Sequence, residues 1–306
     1  MSDGTNGPGT GTMTTILAPL DNSAEAKTAL PYAMALATPG TEILLLTVVA
    51  NGDEAEAAAA MLEQVAQRMR VMGRTVRTEV AVGDPVEQIL GTASNPGMSM
   101  IVLASHGRGA VGRLIYGSVA DRIGQESTVP VMVVRAARVE PGPVGITRLV
   151  VPLDGSPFAE QSLPIATEIS RRLGTSIYLV RAVNALGLIP PAIGFGEAIP
   201  PQIYDEAEEQ MEQEARDYLD GTAQSLRDQG LPVVARVLNG PPATAIMEAT
   251  QLGDVVVLCS HEQTGVMRWL LGSVAEQLTR EDQSPVILVP ATEPEPAATE
   301  PVEPGG

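Results

Sequence analysis

The chain has 306 residues, enough for about two domains, and 44% of them are hydrophobic while only 3% are aromatic, so its cores must be aliphatic. A formal charge of −18, from 37 acidic and 19 basic residues, repels DNA, RNA and anionic membranes through their phosphates, but leaves room for one small nucleotide held by backbone N–H groups. One cysteine, Cys259, excludes an internal disulfide and a cysteine-based zinc site, and its place at the end of an apolar strand reads as a buried, inert thiol. No apolar run reaches the roughly 18 to 20 residues of a membrane span, and "MSDGTNGPGTGTM" lacks the apolar stretch of a signal peptide. The expected location is cytoplasmic.

Residues 1–12 read as a disordered Gly/Thr-rich tail. "TTILAPL" (14–20) is a strand, and "SAEAKTALPYAMALA" (23–37) a helix capped by Ser23 and kinked at Pro31. "EILLLTVV" (42–49) is a buried strand, and "EAEAAAAMLEQVAQRMRVMG" (54–73) a long helix ended by Gly73. Next come the strand "TVRTEVAVG" (75–83), the helix "PVEQILGTAS" (85–94) and the strand "MSMIVLAS" (98–105). A Gly-rich loop follows, then a helix from Ser118 and the strand "VPVMVVRA" (129–136).

The same order then repeats. "ILAPLDNSAEAKTALPYAMALA" (16–37) aligns with "LVVPLDGSPFAEQSLPIATEIS" (149–170), matching Asp21 to Asp154. "LASHGRGAVGRLIYGSVADRI" (103–123) aligns with "LCSHEQTGVMRWLLGSVAEQL" (258–278), matching Ser105 to Ser260. The strands "RLVVPLD", "SIYLVRAV", "PVVARVLNG", "DVVVLCS" and "PVILVPA" recur, with helices over "DEAEEQMEQEARDYLDGTAQSLRDQG" (205–230) and "PATAIMEATQ" (242–251). The second copy is longer by about 22 residues, which are placed in the Pro/Gly-rich loop 184–202. Near-continuous apolar strands alternating with helices predict α/β domains, each a doubly wound, five-stranded parallel sheet. The domains are placed at 13–138 and 146–291, with a linker at 139–145 and a disordered acidic, Pro-rich tail at 292–306. The last strands of the copies are apolar edges, so they are expected to pair with each other.

In open α/β sheets ligands gather beyond the carboxyl ends of the strands. In the first copy Asp21, the pair Val48 and Val49, Gly83-Asp84-Pro85 and the loop 104–117 converge there. Gly107, Gly109 and Gly112 permit positive φ, so successive N–H groups can turn inward. Gly117-Ser118 adds a helix N-terminus, while Arg108 supplies a cation for an outer phosphate and Arg113 a second one. Spacing alone leaves two readings open, a phosphate cradle or a tight turn with a serine cap.

"PLDNS" after the first strand, and "SHG", nine residues, then "GS" after the fourth, resemble the universal stress protein family in its tandem two-domain form. The resemblance covers nearly all of both copies and implies a Rossmann-like fold of the adenine nucleotide alpha hydrolase type. ATP-binding members carry G-x-x-G-x9-G-[S/T] in this loop; here the first glycine is Ala104. Carried over by position, Asp21 accepts hydrogen bonds from the adenine or ribose edge, Pro19 lies beside the base, and Val48 or Val49 meets the adenine. Gly107, Arg108, Gly109, Gly117, Ser118 and Val119 line the phosphates, and Ala104 opens the loop. His106 lies in the same loop without a partner that would make it a catalytic base. The second copy keeps Asp154, Gly272 and Ser273 but has Cys259 and Glu262 at the two leading glycines. A carboxylate facing a polyphosphate predicts weak or absent ATP binding there, with Arg181 offsetting the charge or pairing with Glu262.

The resemblance implies a nucleotide-dependent stress sensor or regulator that binds ATP or AMP, with or without Mg²⁺. No Walker lysine, Ser-His-Asp order or paired acid and base appears, so catalysis beyond slow ATP hydrolysis is not expected. Two other classes remain: a nucleotide-free scaffold, and a nucleotidyltransferase or ATP-pyrophosphatase-type ligase. "PLDNS" and "PLDGS" stand where the ligases place their phosphate motif, which argues against them. The expected partners are an adenine nucleotide and the other half of the chain, with a homodimer as a further option, but neither nucleic acid nor membrane.

Overall fold

The computed structural model describes residues 13–105, 118–136, 144–184, 201–260, 273–282 and 284–290. The first repeat runs β1 (Thr15–Pro19), α1 (Leu30–Leu36), β2 (Glu42–Val49), α2 (Ala55–Val71), β3 (Thr75–Val82), α3 (Pro85–Ala93), β4 (Met98–Ser105), α4 (Ser118–Glu126) and β5 (Val131–Arg135). The second runs β6 (Arg148–Pro152), α5 (Pro157–Glu160), α6 (Leu163–Leu173), β7 (Ser176–Val183), α7 (Pro201–Asp228), β8 (Val233–Asn239), α8 (Pro242–Ala249), β9 (Asp254–Ser260), α9 (Ser273–Glu281) and β10 (Val286–Pro290).

The strands form one ten-stranded sheet in the order β3-β2-β1-β4-β5-β10-β9-β6-β7-β8. Each repeat is therefore a doubly wound α/β unit, as its strand and helix pattern predicts. Neighbours within a repeat are parallel; β5 and β10 pair antiparallel, Val131 opposite Leu288 and Val133 opposite Val286. Side chains alternate across each strand, so Ile43 and Leu45 join the core under α1 and α2, while Leu44 and Leu46 join the one under α3 and α4. Each core continues through the second repeat. Burial on both faces explains why these strands read as unbroken apolar runs.

Two expectations are corrected. The segment 23–37 is not one kinked helix: a 3-10 turn over Ala26–Ala29 precedes α1, and Pro31 sits in the first turn of α1. Proline lacks an N–H that a first turn would leave unpaired anyway, so it starts a helix more cheaply than it bends one. Helix α7 begins at Pro201, ahead of the expected Asp205, and has 28 residues against 17 in α2. About half of the extra length of the second repeat is thus helical; residues 185–200 lie outside the described ones, as do both tails and residues 137–143.

Candidate functional site

The site builds from β1 outward. Strand β1 lies between β2 and β4, at the point where the order reverses and the carboxyl ends open a crevice. After Pro19 the Leu20 N–H donates to the Leu46 carbonyl at 2.8 Å, and Thr47 Oγ1 donates to the Leu20 carbonyl at 2.8 Å. These bonds fix where Asp21 leaves the sheet. Asn22 then turns the chain at φ 66°, the one non-glycine residue at positive φ among those described. Asparagine tolerates that region better than other side chains. The Asp21 Oδ1 atom accepts from the Ser23 N–H at 3.1 Å and its hydroxyl at 2.5 Å, and Ser23 Oγ accepts from the Ala26 N–H at 2.9 Å. Asp21 is thereby oriented through one oxygen; among the described residues no donor is bonded to Oδ2.

The opposite wall comes from α3. Gly83 (φ 135°) donates to the Val49 carbonyl, and Asp84 caps α3 by accepting from the Glu87 N–H at 3.0 Å. This brings Pro85 and Ile89 over Leu46 and Val48. With Leu103 and Ala104 of β4 and Val119, Ala120 and Ile123 of α4, they enclose a cavity of about 310 Å³ that also includes Pro19, Leu20, Asp21 and Ala26. That volume suits the apolar half of a small ligand, and Asp21 is the single charged side chain among the described residues of the wall.

Of the residues singled out in the sequence, Pro19, Asp21, Val48, Ala104 and Val119 come together in this wall. Val49 does not: it is buried on the other face of β2, as strand alternation requires, and contributes its carbonyl to Gly83. Helix α4 begins at Ser118. His106, Gly107, Arg108, Gly109, Gly112, Arg113 and Gly117 lie outside the described residues, as do His261, Glu262, Thr264 and Gly272. Sequence reasoning missed Leu46, Ile89, Leu103, Ala120 and Ile123, which the alternation along β2 and β4 and the helical spacing of α3 and α4 could have supplied. No group of three or more His, Cys, Asp or Glu residues among those described could hold a metal ion, and no described helix is long and apolar enough to cross a membrane.

A match to the universal stress protein family model covers residues 13–135 and again 145–290, which is most of the chain. The chain belongs to that family. A universal stress protein of Mycobacterium tuberculosis is 26% identical over 215 residues, spanning 70% of this chain and 68% of its own length. One from Mycolicibacterium smegmatis is 28% identical over 221 residues, spanning 71% and 69%. The crystal structure of a universal stress protein from Archaeoglobus fulgidus superposes with a TM-score of 0.65 at 21% identity, covering 91% of this chain and 98% of that one, a likeness of fold.

Within this family architecture the second repeat keeps the floor of the first. The Leu153 N–H donates to the Val180 carbonyl at 2.8 Å, so Val180 is the counterpart of Leu46 and Ala182 that of Val48. Pro152, Leu153, Asp154, Ala159, Pro242, Ile246, Leu258, Val274 and Ala275 repeat the first-repeat lining residue for residue. Cys259 replaces Ala104; it is buried, and burial pushes its thiol up to about 12, so it is neutral at ordinary pH.

What surrounds Asp154 differs. Burial opposes its charge, but hydrogen bonds from the Ser156 hydroxyl and N–H and the positive charge of Arg181 outweigh that and hold its carboxyl below the usual range. The Arg181 guanidinium lies against Gly155 and over the Tyr218 ring, 5.3 Å from its centroid. The Tyr218 hydroxyl donates to Glu160 Oε1 at 2.8 Å, and burial followed by that carboxylate raises its own pKa.

Proposed function

We propose that the chain is an adenine-nucleotide-binding stress protein whose first repeat is the competent site and whose second is degenerate. The observation that carries this reading is the cavity at the β1–β4 switch point, whose described lining is apolar apart from one oriented carboxylate and is walled by the start of α4. Adenine would fill the aliphatic floor between Val48, Ile89 and Ala104, and Asp21 would accept from the ribose or base edge. The N-terminus of α4, with Gly107, Gly109, Gly117 and Ser118, would receive the phosphates through backbone N–H groups and the positive end of the helix dipole. ATP, with Mg²⁺ shielding its outer phosphates, is the ligand that uses all of these groups. Bound nucleotide would then tune a cytoplasmic interaction, as in a sensor, with any ATP hydrolysis incidental.

Calorimetric titration of ATP into the purified chain tests this. One site per chain is expected, and Gly107→Glu, which sets a carboxylate where the phosphates would lie, should abolish it with an unchanged unfolding curve. Two equal sites per chain would remove the distinction between the repeats. Undiminished binding by Gly107→Glu would remove the phosphate role of the loop, and no binding by the wild-type chain would leave the scaffold reading.

A further inference from the structure

We propose that the two edges of the sheet pair with each other between copies of the chain, β8 of one copy adding antiparallel to β3 of the next. The strand order leaves β3 and β8 outermost, and because β5 and β10 pair antiparallel, these two edges run in opposite directions. Copies set side by side therefore bring β8 against an antiparallel β3, with the faces of the sheet continuous. The backbone phase of each edge follows from its inward bonds. The Gly240 N–H donates to the Val183 carbonyl and the Pro232 carbonyl accepts from the Ile177 N–H. Val233, Ala235 and Val237 thus turn their N–H and C=O groups away from β7. The Gly83 N–H donates to the Val49 carbonyl, so Val76, Thr78 and Val80 turn theirs away from β2. Arginines of the covering helices take the first outward carbonyl of each edge: Arg227 Nε donates to Val233 and Arg70 Nε to Val76, both at 3.1 Å. Beyond these caps, the outward groups of Ala235, Val237, Thr78 and Val80 are bonded to no described residue.

The side chains then choose register and partner. An antiparallel ladder sets outward residues opposite outward ones. Ala235 opposite Val80 of a second copy, and Val237 opposite its Thr78, meet that condition and place Arg236 directly against the second copy's Glu79. Among the described residues Arg236 makes no hydrogen bond or ion pair, and Glu79 has one exposed contact, 3.3 Å to Arg77. The same register covers Val234 with Ala81 of the second copy and Val82 of that copy with Val233; Val234 and Val82 are otherwise 57% and 49% exposed. On the other face a cavity of about 400 Å³ lies between β8 and α7, walled by Glu212, Arg216, Leu219 and Asp220, and it is open to the side chains of Thr78 and Val80. Centred pairing of like edges is opposed by the same charges, which would set Arg236 against Arg236 or Glu79 against Glu79. Two different surfaces make a heterologous contact, which extends into open chains or rings instead of stopping at a dimer.

Light scattering of the purified chain from about 10 μM to about 1 mM tests this, on the scale expected of a small interface. The salt is set at about 0.15 M, which screens the net charge of −18 beyond roughly 8 Å. The mean mass of the wild-type chain should rise with concentration. Arg236→Glu and Glu79→Arg should each weaken association by about tenfold, the difference between opposed and like charges across strands, and the chain carrying both should recover it. Hydrogen exchange at the Thr78, Val80, Ala235 and Val237 amides should slow as the wild-type concentration rises. A wild-type mass that stays monomeric overturns the proposal. So does association that only one single variant loses, or that the double variant does not recover, since like edges or another surface would then carry it. If a charge variant does not fold, the wild-type exchange decides: slowing confined to those four amides supports the pairing, and slowing that is absent or spread over the chain overturns it.

Discussion

At the carboxyl end of the sheet the first repeat sets Asp21 beside Ser23 and the hydroxyl of Thr47, whereas the second sets Asp154 within reach of the charge of Arg181, itself stacked on Tyr218 and backed by Glu160. At the amino end the contrast recurs. The first repeat has Thr15, Leu44 and Ser99 where the second has Arg148, Tyr178 and Asp254. Between these ends the aliphatic floors are nearly interchangeable. A cleft floor made of strand and helix residues is also core, so packing preserves it whether or not a ligand binds. Only the rims are free to diverge, and they are where the repeats should be told apart.

The amino-end contrast predicts the largest effect on stability. Arg148 Nε donates to Asp254 Oδ1 at 3.0 Å, Nη2 reaches the Ala249 carbonyl at 3.0 Å, and the guanidinium lies 4.3 Å from the centre of the Tyr178 ring. Asp254 is only 4% exposed. Arg148→Ala leaves that carboxylate buried with the Gln251 N–H as its remaining partner, and should cost about 3–5 kcal/mol in urea unfolding. Thr15→Ala, at the matching place in the first repeat, should stay within about 0.5 kcal/mol. Equal costs would mean that the ion pair is decoration on an already sufficient core.

The next contrast is chemical. Cys259 and Ala104 hold equivalent places, but Ala104 lines the first cavity while Cys259 is 6% exposed. A thiol raised from 9.0 to about 12 carries about a thousandfold less thiolate near pH 8, and alkylation of the native chain should slow by that factor relative to the unfolded one. The native rate should keep climbing with pH towards 12, while the unfolded rate levels off near 9. In a Cys259→Ala background, Ala104→Cys should react faster and be protected by ATP. Equal rates at the two positions would show that the clefts are open alike, and absence of protection would count against nucleotide in the first.

Much of the fold was legible because these strands are buried on both faces and so announce themselves as apolar runs. Asp21, Val48 and Ala104 were legible through their places at strand ends, and Pro19 through the family resemblance. Choosing between Val48 and Val49 required alternation: Leu44, Leu46 and Val48 share one face, and Leu45, Thr47 and Val49 the other. Pro31 misled because a proline inside an apolar helical pattern looks the same whether it bends a helix or begins one. The start of α7 was hidden by "PPQ", which carries little helix propensity. The Arg181 cluster was the least legible, since its members come from β7, α5 and α7, and only folding brings them together. One signal did exist in the aligned copies: Lys27 becomes Glu160, a charge reversal amid otherwise similar sequence.

The smallest effect concerns how unequally the repeats hold each other. From α6, Arg172 donates to the hydroxyls of Thr38 and Thr41 in the first repeat, and lies 3.6 Å from Glu168, which accepts from the Met13 N–H at 2.6 Å. The counterpart of Arg172 in the first repeat is Pro39, which has no donor to return, so this link is made in one direction only. Another polar tie across the boundary runs from Arg135 Nη1 to the Asp282 carbonyl at 3.2 Å, beside the short β5–β10 ladder. Arg172→Ala should therefore remove about 1–3 kcal/mol, and the thermal midpoint should fall by about 2–4 °C for each kcal/mol lost. If the β5–β10 ladder and the shared cores carry the pairing by themselves, the midpoint will not move. If the arginine contributes, the single unfolding step should also broaden, because the repeats then lose part of what makes them melt together.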